Sequence, residues 1–166
     1  MPEKKTLERA RTDAREGKAP STQAGEFVRE EIDHIRRGKH GARSAKQAIA
    51  IGLSKARRAG VKLPPPKKGK ASKATREQAG RDYARGQKSP HAGVSPARSR
   101  ATHSALEREG KQAASHLALS RQAHTSARRR GATNRSLAAK KAIRTKGPTG
   151  LKSAARKAAR TRAKTR

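Results

Sequence analysis

Two nine-residue segments late in the chain carry the residue types best suited to a definite chemistry. Ala138-Ala139-Lys140-Lys141-Ala142-Ile143-Arg144-Thr145-Lys146 recurs sixteen residues on as Ala154-Ala155-Arg156-Lys157-Ala158-Ala159-Arg160-Thr161-Arg162, and every position is identical or conservatively replaced. Paired cations spaced by Ala pairs are suited to neutralising phosphates, each of which then releases a condensed counterion and adds affinity. Residues 110–166 hold 17 Lys and Arg and no acid, so the field keeps one sign throughout. Arg128, Arg129, Arg130, Lys140, Lys141, Arg144, Arg156, Lys157, Arg160 and Arg162 are the expected phosphate contacts. Lys46, Lys55, Arg57 and Arg58 form an upstream set that could touch phosphate from a second element.

Other chemistries find less support. His34, His40, His91, His103, His116 and His124 are dispersed and there is no Cys, so no metal site is expected. Glu26, Glu30, Glu31 and Asp33 make the one acid cluster. A catalytic carboxylate pair needs a pocket that moves two pKa values apart, and the chain has little apolar mass to build one. The cluster reads instead as a face that neutralises a basic helix, with Glu30 and Asp33 nearest to it. Neither Gly-x-Ser-x-Gly nor Gly-x4-Gly-Lys occurs. No enzymatic activity and no cofactor are expected. Ser89-Pro90-His91 and Ser95-Pro96-Ala97-Arg98 resemble the Ser-Pro-basic turns of histone tails, but two short matches are a weak signal and a plain loop is the preferred reading.

The charge balance bounds the partners. Residues 34–166 carry 37 Lys and Arg against Glu77, Asp82, Glu107 and Glu109, a net of +33, whereas residues 1–33 have a net of −1. Like-charge repulsion on this scale opposes compaction and favours a polyanionic partner. Phe27 and Tyr83 are the only aromatics, and most of the 31% apolar content is Ala. High charge with so few large apolar residues predicts disorder or conditional folding over much of the chain. Ala and Arg are strong helix formers, so the expected conditional structure is helical. The 1–18 segment has no apolar h-region and no apolar run approaches a membrane span, so an intracellular protein with no membrane association is expected.

The elements that must position these residues follow from periodicity. Residues 1–20 predict a short charged helix over 7–16 with little to bury, ended by Gly17 and Pro20. Residues 21–63 predict a helical hairpin. Its first helix runs to Arg37 with Phe27, Val28, Ile32 and Ile35 on one stripe. After a turn at 38–41, Ser44 and Gln47 have capping-box spacing for a second helix over 45–59. Ala45, Ala48, Ile49, Gly52, Leu53 and Ala56 form its stripe, and their small size allows close approach. A helix–turn–helix fits this module loosely but wants a third helix to hold it. So small a core also suggests completion by self-association or a protein partner. Pro64-Pro65-Pro66 opens a linker over 64–71. Residues 72–166 read as a low-complexity basic tail with helices near 73–85, 98–109 and 111–130, a loop at 87–97, and broken basic segments after 130. The fold class is thus mostly α: a two-helix module with a short N-terminal helix, followed by a largely disordered or conditionally helical tail.

The run Ser44-Ala45-Lys46-Gln47-Ala48-Ile49-Ala50-Ile51-Gly52-Leu53-Ser54-Lys55-Ala56-Arg57, within 38–60, resembles a family of small basic bacterial proteins of unknown function. Some members are labelled DNA-binding or plasmid stabilization proteins. The resemblance covers about 23–66 and implies a bacterial origin and a small domain there, with no catalytic residues to carry over. The tail resembles bacterial linker-histone-like proteins in composition alone. The expected function is sequence-nonspecific binding of nucleic acid, duplex DNA before RNA, as a cytoplasmic, nucleoid-associated coating or condensing protein. An RNA- or ribosome-associated protein and a plasmid maintenance or protein-docking module working through 21–63 are the alternatives.

Overall fold

The structure, a computed structural model, describes residues 2–88 and 95–164. Seven helices and one 3-10 turn account for its regular structure: α1 (Lys4–Arg15), α2 (Pro20–Arg36), α3 (Ala45–Arg58), α4 (Lys73–Lys88), α5 (Pro96–Glu107), the turn Gln112–Ala114, α6 (His116–Arg129) and α7 (Gly131–Lys164). No strand occurs among the described residues, where one isolated bridge joins Lys68 and Ala71. No described helix is long and apolar enough to cross a membrane. The chain divides into two compact units, one ending at Ser120 and the other beginning at Arg121.

In the first unit, α2 and α3 pack antiparallel. Ala24 and Phe27 meet Ala56 and Val61 at one end of the pair, and Ile32 and Ile35 meet Ala42 and Ala48 at the other. The expected packing residues take these places: Phe27, Ile32 and Ile35 are buried, Val28 and Leu53 are partly buried against the two clusters, and Ile49 is half-buried. Burying a ring such as that of Phe27 contributes roughly 1.5–3 kcal/mol, and an Ala much less. The unit therefore depends on close approach between helices. An added Cβ at Gly52 would lie 2.6 Å from the Val28 Cα, so glycine sets the α2–α3 separation. Ser44 caps α3, its Oγ accepting from the Gln47 N–H at 3.2 Å.

The core is larger than a hairpin. α1 buries Thr6 and Ala10 and lays Leu7 against the Phe27 cluster, so it is not the solvated helix its charges suggest. Pro20 opens α2 at the first helical turn, where its fixed φ fits and its missing N–H costs nothing. Ala113 and Ala114, with Leu119 beside them, complete the Ile32–Ile35 cluster. Backbone bonds from Gly41 N–H to the Leu106 carbonyl (2.9 Å) and from Ala42 N–H to the Gly110 carbonyl (3.1 Å) fix that return. α4 turns Ala79, Asp82 and Gly86 inward. Gly86 does not stop this helix: a Cβ there would stand 1.8 Å from the Arg57 carbonyl oxygen, so the glycine is a contact point between α4 and the end of α3.

The disordered tail is corrected by the structure. Residues 73–88 and 96–129 are largely helical, and α7 runs from Gly131 to Lys164 with one break at Gly147 (φ 63°, ψ 177°), followed by Pro148. Twenty-two of the 34 α7 residues are Ala, Leu, Lys or Arg, the strongest helix formers. Each half is long enough for cooperative propagation to outweigh nucleation. Like-charge pairs four apart oppose this by only about 0.2–0.5 kcal/mol each. Charge composition suggested disorder, yet backbone propensity decides this segment. Ser95-Pro96 is likewise a helix start and not a plain loop. Ser89-Pro90-His91 lies outside the described residues.

Gly52→Ala is expected to destabilise the protein by about 1–3 kcal/mol, the range for overpacking a filled contact. A urea titration followed by far-ultraviolet circular dichroism checks this, and an unchanged midpoint would show that α2 and α3 can separate at little cost.

Candidate functional site

The second unit contains 16 Lys and Arg and no Asp or Glu. Arg128 and Arg129 end α6, and Arg130 joins it to α7. Two side-chain bonds close this junction: Arg135 Nη1 donates to the Ala127 carbonyl at 3.2 Å, and Asn134 Nδ2 donates to the Arg130 carbonyl at 2.8 Å. Lys140, Lys141 and Arg144 occupy the first half of α7, and Arg156, Lys157, Arg160 and Arg162 the second. All ten of these expected phosphate contacts are exposed.

Helical spacing orders the cations. Lys140 and Arg144 are four residues apart, as are Lys152, Arg156 and Arg160, which sets successive charges on one face at about 6 Å intervals. The second row lines an open concavity of about 660 Å³ together with Thr149, Ser153 and Lys157. Both repeats carry the same local bond. Thr145 Oγ1 donates to the Lys141 carbonyl at 2.9 Å, and Thr161 Oγ1 to the Lys157 carbonyl at 3.0 Å. Their hydroxyls thus engage the backbone four residues back. Such an arrangement can hold an extended polyanion.

The upstream basic set sits differently. Lys46 is exposed. Lys55 Nζ binds Glu31 Oε2 at 2.5 Å. Arg57 is 7% exposed and donates from Nε to the Leu63 carbonyl at 3.2 Å; burial lowers its pKa, and the Asp82 carboxylate works against that. Arg58 Nε lies 3.4 Å from the Ser54 carbonyl and 3.9 Å from Asp82. Asp82 is held further by Ser54 Oγ at 2.7 Å and Gln78 Nε2 at 3.1 Å. Lys55, Arg57 and Arg58 are therefore used within the fold. The acid facing the basic helix is Glu31, not Glu30 or Asp33. Glu31 follows Phe27 by four residues and so falls within the apolar stripe, a signal that was present in the spacing.

The fold also gathers what the sequence disperses. The His34 and His40 rings stand 6.1 Å apart, and His103 is 6.5 Å from His40. His103 Nδ1 lies 3.1 Å from Glu107 Oε1, its neighbour one helical turn along α5. Glu31, with no exposed surface, approaches His40 Nε2 at 3.3 Å. The Glu3 carboxyl is held down to about 2 by hydrogen bonds from His34 (2.9 Å) and Lys39 (3.1 Å). Lys18 is pushed up by hydrogen bonds to Asp13 and Glu16. His116 and His124 on α6 are exposed, and His91 lies outside the described residues.

Residues 21–68 match the model of a family of unknown function (DUF6496). That span covers α2, α3 and the chain leading to α4. No curated protein and no solved structure matches the chain.

Removing Lys55 leaves the Glu31 carboxylate buried without its ammonium. Lys55→Met is expected to cost about 2–3 kcal/mol, less than the ~3–5 kcal/mol of a fully enclosed pair, because the Lys55 side chain keeps 20% exposure. The double variant Glu31→Leu/Lys55→Met should recover most of the loss. Urea midpoints of the three proteins test this, and additive losses would mean that the two groups are not coupled.

Proposed function

We propose that this protein binds nucleic acid without sequence specificity, with duplex DNA the preferred ligand, and coats or condenses it as a nucleoid-associated factor. One observation carries the reading: all thirteen Lys and Arg from Arg128 to Arg162, the ten expected phosphate contacts among them, are exposed on or beside helices in a unit that contains no Asp or Glu. A helix holds these charges at fixed intervals, so each phosphate bound costs less ordering than it would on a coil. The Ala residues between them leave room for a backbone to approach. Counterion release then supplies most of the affinity, whatever the base sequence.

The polar side chains support non-specific contact. Base readout uses Asn and Gln amides at groove edges. The second unit has two such residues, and both amides are engaged locally: Gln122 Nε2 donates to Ser126 Oγ, and Asn134 Nδ2 to the Arg130 carbonyl. Duplex is favoured over single strands because stacking platforms need exposed aromatic rings. Phe27 is buried and Tyr83 half-buried. The first unit contributes a folded module whose own cations at Lys55, Arg57 and Arg58 are engaged internally.

The test is fluorescence anisotropy of the full chain on a random-sequence duplex across a salt series. Tight binding with a steep log–log slope is expected. Replacing Lys140, Lys141, Arg144, Arg156, Lys157 and Arg160 with Gln should reduce that slope by about 5, at roughly 0.9 per phosphate lost. An unchanged slope would move the interface elsewhere. Displacement of the duplex by structured RNA at equal phosphate concentration would assign the protein to RNA, and no binding at physiological salt would end the reading.

A further inference from the structure

We propose that Glu31, His34 and His40 form a binding site for a divalent transition-metal ion, zinc first among them, with two ligands from α2 and one from the turn that follows it. Glu31 and His34 are three residues apart and share a helix face. The turn at 38–41 carries His40 back to that face. One ligand atom from each of the three residues lies within 4.8 Å of the others. The set is enclosed: Glu31 has no exposed surface, and the His40 and His34 side chains are 8% and 12% exposed.

The hydrogen bonds around the rings suit ligation. His34 Nε2 lies 2.9 Å from Glu3 Oε1, and His40 Nδ1 lies 3.1 Å from the Gly41 carbonyl oxygen. With the proton on the nitrogen that faces its acceptor, a neutral ring keeps its lone pair on the other nitrogen. A carboxylate or carbonyl in this outer position is the usual support of a metal-bound imidazole. For His40 that lone pair is on Nε2, which stands 3.3 Å from Glu31 Oε1. Glu31 Oε1 is buried and has no hydrogen-bond partner, while Oε2 is taken by Lys55. Two electron-rich atoms this close in a buried space, with no hydrogen bond between them, repel unless a cation binds both. Glu3 and Glu30 add negative charge beside His34, Glu30 Oε1 lying 3.9 Å from its Nε2.

Imidazole nitrogen with one carboxylate oxygen is a zinc-type donor set, and three protein ligands leave a fourth position for water. Ligands around tetrahedral zinc are about 3.3–3.5 Å apart, as follows from bonds of about 2.0–2.1 Å. Starting from separations within 4.8 Å, binding therefore requires the side chains to close by up to about 1.5 Å. The ion would tie α2 to the turn that leads into α3, in the unit that carries the Ile32–Ile35 cluster.

The experiment is calorimetric titration of Zn²⁺ into chelator-treated full-length protein, with Co²⁺ absorption as a spectroscopic check. One equivalent bound with micromolar or tighter affinity is expected. His34→Gln/His40→Gln should weaken binding at least 100-fold, and His116→Gln/His124→Gln should leave it unchanged. Circular dichroism reports whether the first variant keeps its helices. If it does not, Glu3→Gln decides, because loss of an outer acceptor weakens a metal site about 10–100-fold. No stoichiometric binding by the native chain, or affinity indifferent to the first variant and to Glu3→Gln, would overturn the site and identify a proton as the cation shared by His40 and Glu31.

Discussion

Twelve carboxylates must serve 44 Lys and Arg, and every one of them lies at or before Glu109. A cation can be enclosed only where an anion or a set of acceptors replaces its water. The division of the chain follows from this. Up to Ser120 the protein buries Arg57, surrounds Glu31 with Lys55 and His40, and holds Asp82 with Ser54, Gln78 and Arg58. From Arg121 onward there is no carboxylate side chain to perform that exchange, and the bases of α7 from Arg135 to Arg162 are exposed. The first unit encloses part of its charge, whereas Arg128 to Arg130 and the cations from Arg135 to Arg162 lie exposed.

Scarcity of large side chains imposes a second constraint. With Phe27 as the single large buried aromatic, the first unit gains its cohesion from dispersion between closely spaced backbones. Alanines at 24, 42, 45, 48, 56, 113 and 114 are all buried. Gly52 and Gly86 let α2 and α4 each approach α3. This economy explains why α1, α4 and the 110–119 segment are recruited around the central pair. Two helices with such short side chains leave both of their apolar ends partly open, and each end is covered by a separate stretch of chain.

Glu31 shows how the two constraints meet. It occupies a position in the α2 stripe that Leu could fill, and its carboxylate is instead enclosed between a lysine of α3 and a histidine of the turn. A buried ion pair of this kind contributes little net stability beside an apolar pair of the same shape. It can still specify geometry, because both charges are satisfied in only one register of α2 against α3. The carboxylate and the imidazoles gathered there give the first unit a polar centre different in chemistry from the exposed cations of the second.

Local order was largely legible in the sequence. The stripes of α2 and α3, the Ser44 cap and the basic repeats are properties of neighbours within a few residues, where spacing and propensity act directly. The all-helical backbone was legible in part. Over residues 131–164 Ala, Lys and Arg content outweighs net charge, because the propensity gain accrues at nearly every residue whereas screened repulsion costs about a few tenths of a kcal/mol per pair. What the tertiary structure alone decided rests on long-range approach. His103 comes within 6.5 Å of His40 where the 106–110 backbone bonds to the turn at 41–42. Gly86 reads as a helix stop until the Arg57 carbonyl is set against it. Lys55, Arg57 and Arg58 look like free cations until the partners that enclose them arrive from α2, the 59–63 segment and α4. A sequence specifies a residue's charge and its local face. Whether that charge meets water or a buried partner depends on which distant backbone comes to lie beside it.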